Sequence, residues 1–444
     1  MVLLISIILL ILSLLGCMVL HADLVYGLLI GMIVFMAAAV RSGFPLKEVL
    51  RMMLNGISES FIVVGVLLII GAMTGVWRGC GTIQLLVLYG TELIHPKLFI
   101  LFAFLLPAAV SYLIGTSFGT SATIGIVMVT LCSVSGADPV LTAGAVMSGI
   151  FFGDRASPAS SCAHLNAYLT GTEIYGNVRA MLKDCLPALL ITAVLYTGIS
   201  FSHPVREVDI RILDSMRTQY TITPLLLLPA LIILAAPLLR IRIKPAMGLS
   251  ILCASVLALI LQKMPLPELL RTAVLGYEAK GELAALLSGG GIRSMAHACV
   301  MIVISATYSG IFNGTGMLSA AEAPLEKLSE KTSLLMMTAL TGIPMIMFSC
   351  NQTLALMLQV PLIRPVYKKA GKSNEEMMLD VADTTVLFSA LVPWCLACSM
   401  PLEVLGATPA CLPFAFFLYL PFVVRFSRQQ AAGSERIRPA AHLL

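Results

Sequence analysis

The chain has 444 residues, 59% of them apolar and 11% charged, with a net charge of +5. A soluble domain carries about 25% Asp, Glu, Lys and Arg, so 28 basic and 23 acidic residues cannot coat several water-soluble domains. A mean hydropathy of +0.97 places most of the length in lipid, and so small a net charge excludes a nucleic-acid surface.

The lipid bilayer is therefore the expected surrounding. Because a helical crossing takes about 20 mainly apolar residues, the chain has room for about ten to twelve spans. A transmembrane barrel would instead alternate over segments of about 10 residues. The expected fold is all-α and polytopic.

The first apolar run, 1–20, has no basic leader and no small-residue cleavage site, and reads as a span. Further runs fall near 24–40, 60–77, 98–114, 118–134, 139–153 and 186–201. The stretch 202–223 is charge-rich and reads as a connector. Beyond it, runs fall near 224–240, 245–262, 295–312, 333–349, 354–367, 377–394 and 408–426. From Arg425 the chain turns basic and polar and reads as a disordered tail. The expected division is an N-terminal span (1–23), a first repeat (24–201), a connector with a linking span (202–244), a second repeat (245–426) and a basic tail (427–444).

The repeat rests on one separation. GVWRGCGTI at 75–83 and GIFNGTGML at 310–318 match at an offset of 235, which also pairs Gly136 with Gly371, Pro158 with Pro393 and Gly171 with Gly406. Charge sets the relative orientation. The loop 41–51 carries Arg41, Lys47 and Arg51 against Glu48, whereas its counterpart, 276–286, carries Glu278 and Glu282 against Lys280. The loop 132–138 holds only Asp138, and its counterpart holds Lys368, Lys369 and Lys372. By the positive-inside rule, equivalent loops lie on opposite sides. The loops 41–51, 240–244 (with Arg240, Arg242 and Lys244), 367–373 and the tail are expected on the cytoplasmic side. Two inverted-topology repeats with broken helices or re-entrant hairpins are the architecture of secondary transporters, whose site lies between the repeats.

An unpaired polar group in hydrocarbon is costly, yet four segments break the apolar pattern. They are GTSFGTS (115–121), GDRASPASSCAHLN (153–166), SCNQT (349–353) and ADTT (382–385). The offset pairs the first with the third, and 153–158 with 388–393. Unwound backbone at such places exposes carbonyls and N–H groups to a cargo ion. The alternative reading is that Ser and Thr bond back to their own helix and Gly eases packing. The candidate ligands are Thr116, Ser117, Thr120, Ser121, Ser157, Ser160, Ser161, Asn351, Gln352 and Thr384. Asp154, Arg155, His164 and Asp383 are the ionisable residues in or beside the breaks, and intramembrane charge defaults to function. Asp154 and Asp383 are the candidate sodium or proton sites, and His164 a candidate proton carrier. Arg155 is a candidate partner of Asp383 across the two halves, either as part of the site or as a neutral pair that only ties the halves together.

No enzyme signature is present: no phosphate-binding loop, no G-x-S-x-G and no H-E-x-x-H. SGGG at 288–291 lacks the Lys a phosphate loop needs, and no cofactor is implied. Among eleven cysteines, Cys395 and Cys398 form a C-x-x-C that reads as helix packing rather than a redox pair.

At GTSFGTSATIGIVM (115–128), LTAGAVMSGIFFGDRASPASSCAHL (141–165), SCNQTLALML (349–358), DTTVLFSALVPW (383–394) and PFAFFLYLPF (413–422) the chain resembles the NhaC family of sodium:proton antiporters. The resemblance implies the wider ion transporter superfamily, an inverted-repeat fold with helical hairpins, a homodimer and an elevator-type motion. It also implies exchange of sodium for protons across the cytoplasmic membrane of a bacterium. Where the family commonly continues its G-D-[KR]-x-S-P-x-S motif with Asp-Thr-Thr-Asn, this chain has Ser161, Cys162, Ala163 and His164. Neutral residues, Asn351, Ala382 and Cys395, also stand where many members carry an acidic residue, Glu and Asn respectively. The rival expectation is sodium- or proton-coupled transport of a small organic solute, an amino acid or carboxylate, with Arg155 as a carboxylate clamp. A passive channel ranks third.

Overall fold

The computed structural model describes residues 2–431 except 21, 94, 206–209, 237–238, 240, 242 and 316–331. Arg240, Arg242, the end of the second glycine motif and 432–444 lie outside the described residues. The described chain is helical, with an isolated bridge between Tyr277 and Gly289. Among the described residues, seven helices are long and apolar enough to cross a membrane, or up to nine if each strongly bent pair is one span. Two shorter apolar helices, Ile5–Cys17 and Leu334–Met347, stand beside them.

Two packing groups organise these helices. In the first, the 35-residue helix Leu46–Cys80 packs against Ile243–Ile260, Leu266–Leu275 and Ala296–Thr315. Helix Leu24–Arg41 joins them, with Val2–Val19 against it. Small residues allow backbones to touch here: a Cβ on Gly56 would stand 2.1 Å from the Ala306 carbonyl oxygen, and one on Gly310 2.0 Å from that of Met52. In the second group, Phe99–Ile114 packs on Pro139–Ala156, Leu334–Ser349 on Gln352–Lys369, and Ile174–Ser202 on Leu420–Ala431.

Helix bounds in the second group fall at the separation seen in the sequence. Phe99–Ile114 and Leu334–Ser349 are 235 apart at both ends, as are Ser161–Thr170 and Leu396–Leu405. Pro139–Ala156 likewise corresponds to Asn374–Leu391. The stop signals recur too: Gly115 and Cys350, at φ +75 and +53, both end their helices in the left-handed region. The first group departs from this correspondence. Where Leu46–Cys80 is continuous, 281–315 is interrupted at Ser288–Gly291, whose Gly291 N–H donates to the Gly71 carbonyl at 2.7 Å. SGGG thus serves close backbone packing.

The expected tail needs correction. Helix Leu420–Ala431 continues through Arg425, which is largely buried among acidic partners. A run of charged and polar residues after an apolar span resembles a tail only while its partners are unknown.

Candidate functional site

Each half contributes one broken helix. Gly115 closes the helix from Phe99 by donating its N–H to the Ser111 carbonyl at 2.7 Å. Thr116 is extended, and its Oγ1 accepts from the Gly119 N–H at 3.1 Å to cap the helix that follows. In the other half, Cys350 donates to the Ile346 carbonyl, and Asn351 caps the next helix by accepting from the Thr353 and Leu354 N–H groups. Cys350 is a non-glycine residue in a region that disfavours a side chain, a local cost that such breaks concentrate at functional places.

Each break meets a second turn of its own half. A Cβ on Gly115 would stand 2.4 Å from the Ala159 carbonyl carbon, so only glycine fits against the turn 157–160. Cys350 presents its carbonyl to the Leu396 N–H at 2.8 Å, and Trp394 Nε1 donates to the Met347 carbonyl at 2.9 Å.

The halves meet at Asp154 and Arg155. Gln352 Nε2, from the second break, donates to Asp154 Oδ2 at 3.3 Å and to the Val386 carbonyl at 2.9 Å. The Ser117 N–H, from the first break, faces the same carboxylate. Asp154 is 5% exposed, and among the described residues no basic group lies within 4 Å of it. Val386 ends a π-helical turn, Ala382–Val386, that contains Asp383 and Thr384. A second π turn, Ser121–Gly125, follows the first break. Such turns are rare and occur often at functional sites.

Arg155 faces the other way, as adjacent helical residues must. Its Nε and Nη2 donate to Asp383 Oδ1 at 2.9 and 2.5 Å, and its Nη1 to the Met181 carbonyl at 3.0 Å. Nη2 also reaches Asp184 Oδ2 at 3.4 Å. Asp184 Oδ1 then accepts from Arg425 Nη1 at 2.9 Å, and Arg425 Nε donates to Asp380 Oδ1 at 2.7 Å. Tyr367 donates its hydroxyl to Asp380 Oδ2 at 2.6 Å. The expected Arg155–Asp383 pair across the halves is present, inside a larger network. Asp184, Asp380, Tyr367 and Arg425 were not singled out by the sequence. Asp184 lies two residues before the apolar run 186–201 and after Arg179 and Lys183, so it resembles a helix-end charge. In the structure it lies inside the helix Ile174–Ser202, which begins well before that run.

The hydroxyls divide differently. Thr120, Ser121 and Thr384 donate to carbonyls in their own helices. Ser157 donates to the Tyr112 carbonyl and Ser160 to that of Asp154, fixing the turn that presents Asp154. Ser161 and His164 lie on the exposed side of the helix Ser161–Thr170, where His164 Nε2 contacts the Pro158 carbonyl at 3.0 Å. Asn351 lines a cavity of about 220 Å³ between the two packing groups, together with Ser60, Ser305, Ser349 and Thr353. Cys395 and Cys398 are free thiols on one short helical segment.

A multi-pass helical protein with a polar centre built where broken helices meet has the architecture of a membrane carrier. The sequence profile of the Na+/H+ antiporter family matches residues 1–169 and 149–426, and the chain belongs to that family. Over 405 residues it is 27% identical to the malate-2H(+)/Na(+)-lactate antiporter of Bacillus subtilis, covering 89% of this chain and 85% of that one. Over 411 residues it is 27% identical to the Na(+)/H(+) antiporter NhaC of the same organism, covering 90% and 91%. Over 354 residues it is 24% identical to the arginine/ornithine antiporter ArcD of Halobacterium salinarum, covering 77% and 73%.

Proposed function

We propose that the chain exchanges sodium for protons and that Asp154 is the carboxylate for which the two compete. One observation carries this reading: Asp154 is buried at the meeting of both breaks with no basic partner among the described residues. A buried carboxylate without a counter-cation is costly, and either a proton or a sodium ion relieves the cost. Binding of one excludes the other, which couples their movements in opposite directions. Gln352 holds the carboxylate in place for either occupant, with the Ser117 N–H facing it. The cavity beside Asn351, one residue from Gln352, supplies the approach for a hydrated ion.

Asp383 takes a different role in this proposal. Arg155 already neutralises it, so it fixes the halves together rather than receiving sodium. The same contacts weaken the organic-solute reading, because Arg155 commits every nitrogen to the protein and is no longer a free carboxylate clamp. The proposal includes inverted repeats over 24–201 and 245–426, supported by the loop charges, and a homodimer on the family resemblance alone.

The test is transport in proteoliposomes. Sodium added outside should collapse an imposed pH gradient, and Asp154→Asn should abolish the response. Labelled-solute uptake with no sodium-dependent proton movement would overturn the reading.

A further inference from the structure

His297 stands away from this site, at the end of helix Leu24–Arg41 opposite the basic loop 41–51. Its ring lies between two carboxylates from different elements. Nε2 is 3.0 Å from both Asp23 Oδ1 and Oδ2, and Nδ1 is 3.2 Å from Glu403 Oε2. An ionised carboxylate only accepts hydrogen bonds, and a neutral imidazole donates from one nitrogen only. Both contacts are made together only by the doubly protonated ring. Loss of that proton removes one bond and leaves two acidic groups facing an uncharged ring.

The bridged elements are what give the contact a consequence. Asp23 precedes Leu24–Arg41 and caps it through the Val25 N–H at 2.9 Å, and His297 lies in the first turns of Ala296–Thr315. Both belong to the first packing group. Glu403 belongs to helix Leu396–Leu405, whose Leu396 N–H bonds the carbonyl of Cys350 in the second break. At its other end, Leu405 packs against Gly125 in the π turn of the first break. One short helix thus touches both breaks and ends in the acid that His297 holds.

We infer that His297, Asp23 and Glu403 form a proton-operated latch that fastens helix Leu396–Leu405 to the first packing group when the ring is charged and releases it when the ring is neutral. The groups facing the ring are Asp23 from the turn before Leu24–Arg41 and Glu403 from Leu396–Leu405; Cys299, on the ring's own helix, adjoins Glu403. No other acidic group among the described residues pairs with the ring. Burial pushes the Asp23 carboxyl up, but the Val25 N–H and the His297 ring outweigh it and hold Asp23 below its ordinary value, so it stays ionised as the ring titrates. Acidic medium supplies the ring's second proton and closes the latch, and alkaline medium removes it and opens the latch.

Two measurements on the full chain test this. Hydrogen exchange of helix Leu396–Leu405 in detergent should be slower at pH 5.5 than at pH 8.5 beyond the intrinsic pH effect, and His297→Gln should erase that extra protection. In proteoliposomes, His297→Gln and, separately, Glu403→Gln should raise sodium-dependent proton movement at acidic pH toward its alkaline rate. Protection and pH profiles unchanged in both variants would overturn the latch. Absence of sodium-dependent proton movement in the unmodified protein would sink the exchange reading alone, because the hydrogen-exchange measurement needs no cargo.

Discussion

Asp154 and Asp383 are both buried carboxylates beside a break, yet their surroundings are opposite. Asp383 receives two hydrogen bonds from Arg155 and lies 4.0 Å from Arg425, whereas Asp154 receives the Gln352 amide and has no basic partner among the described residues. The difference separates cohesion from transport. A carboxylate already matched to fixed guanidinium groups gains little from a mobile cation. One that is dry and unmatched gains a great deal.

The largest expected effect is Asp154→Asn, which should reduce exchange to background while leaving thermal stability near its starting value, because the amide fills the same space without the unmatched charge. Asp383→Asn should behave in reverse. It leaves Arg155 charged and buried, and removing one partner of such a pair costs about 3–5 kcal/mol; a large fall in melting temperature in detergent would show this. The double change Arg155→Met with Asp383→Leu should recover part of that loss. Should Asp383→Asn instead retain full stability and lose only exchange, the division between the two carboxylates collapses.

A smaller effect is expected at Gln352→Ala. The variant should fold and still exchange, with weaker apparent sodium affinity, because Asp154 loses the amide that orients Oδ2. Equal sodium affinity would remove Gln352 from the site. Smallest is Ser160→Ala, which deletes a helix cap worth about 1 kcal/mol and loosens the turn beneath Asp154; chemical denaturation should register it as a modest loss.

Both breaks, the offset that pairs them and the contact between Arg155 and Asp383 were legible in the sequence, because each contradicts the demand that a span be apolar. That contradiction is local and needs no partner to be noticed. Arg425, Asp184 and His297 were not legible, since charge near the end of an apolar run is what any span displays. Only the fold reveals that Arg425 turns inward to Asp184 and Asp380, or that His297 meets acids 274 and 106 residues away. The hydroxyls show the converse. Their density at the breaks was legible, but Thr120, Ser121 and Thr384 spend their protons on their own helices.

The central claim is that sodium and protons contend for Asp154. Thermal unfolding of the purified protein with and without sodium, at acidic and at alkaline pH, tests it without a transport assay, since a ligand raises stability only through the state that binds it. Sodium should raise the melting temperature at alkaline pH, do so less as the pH falls, and have no specific effect on Asp154→Asn at either pH. Equal stabilisation of Asp154→Asn and the unmodified protein by sodium would contradict the account.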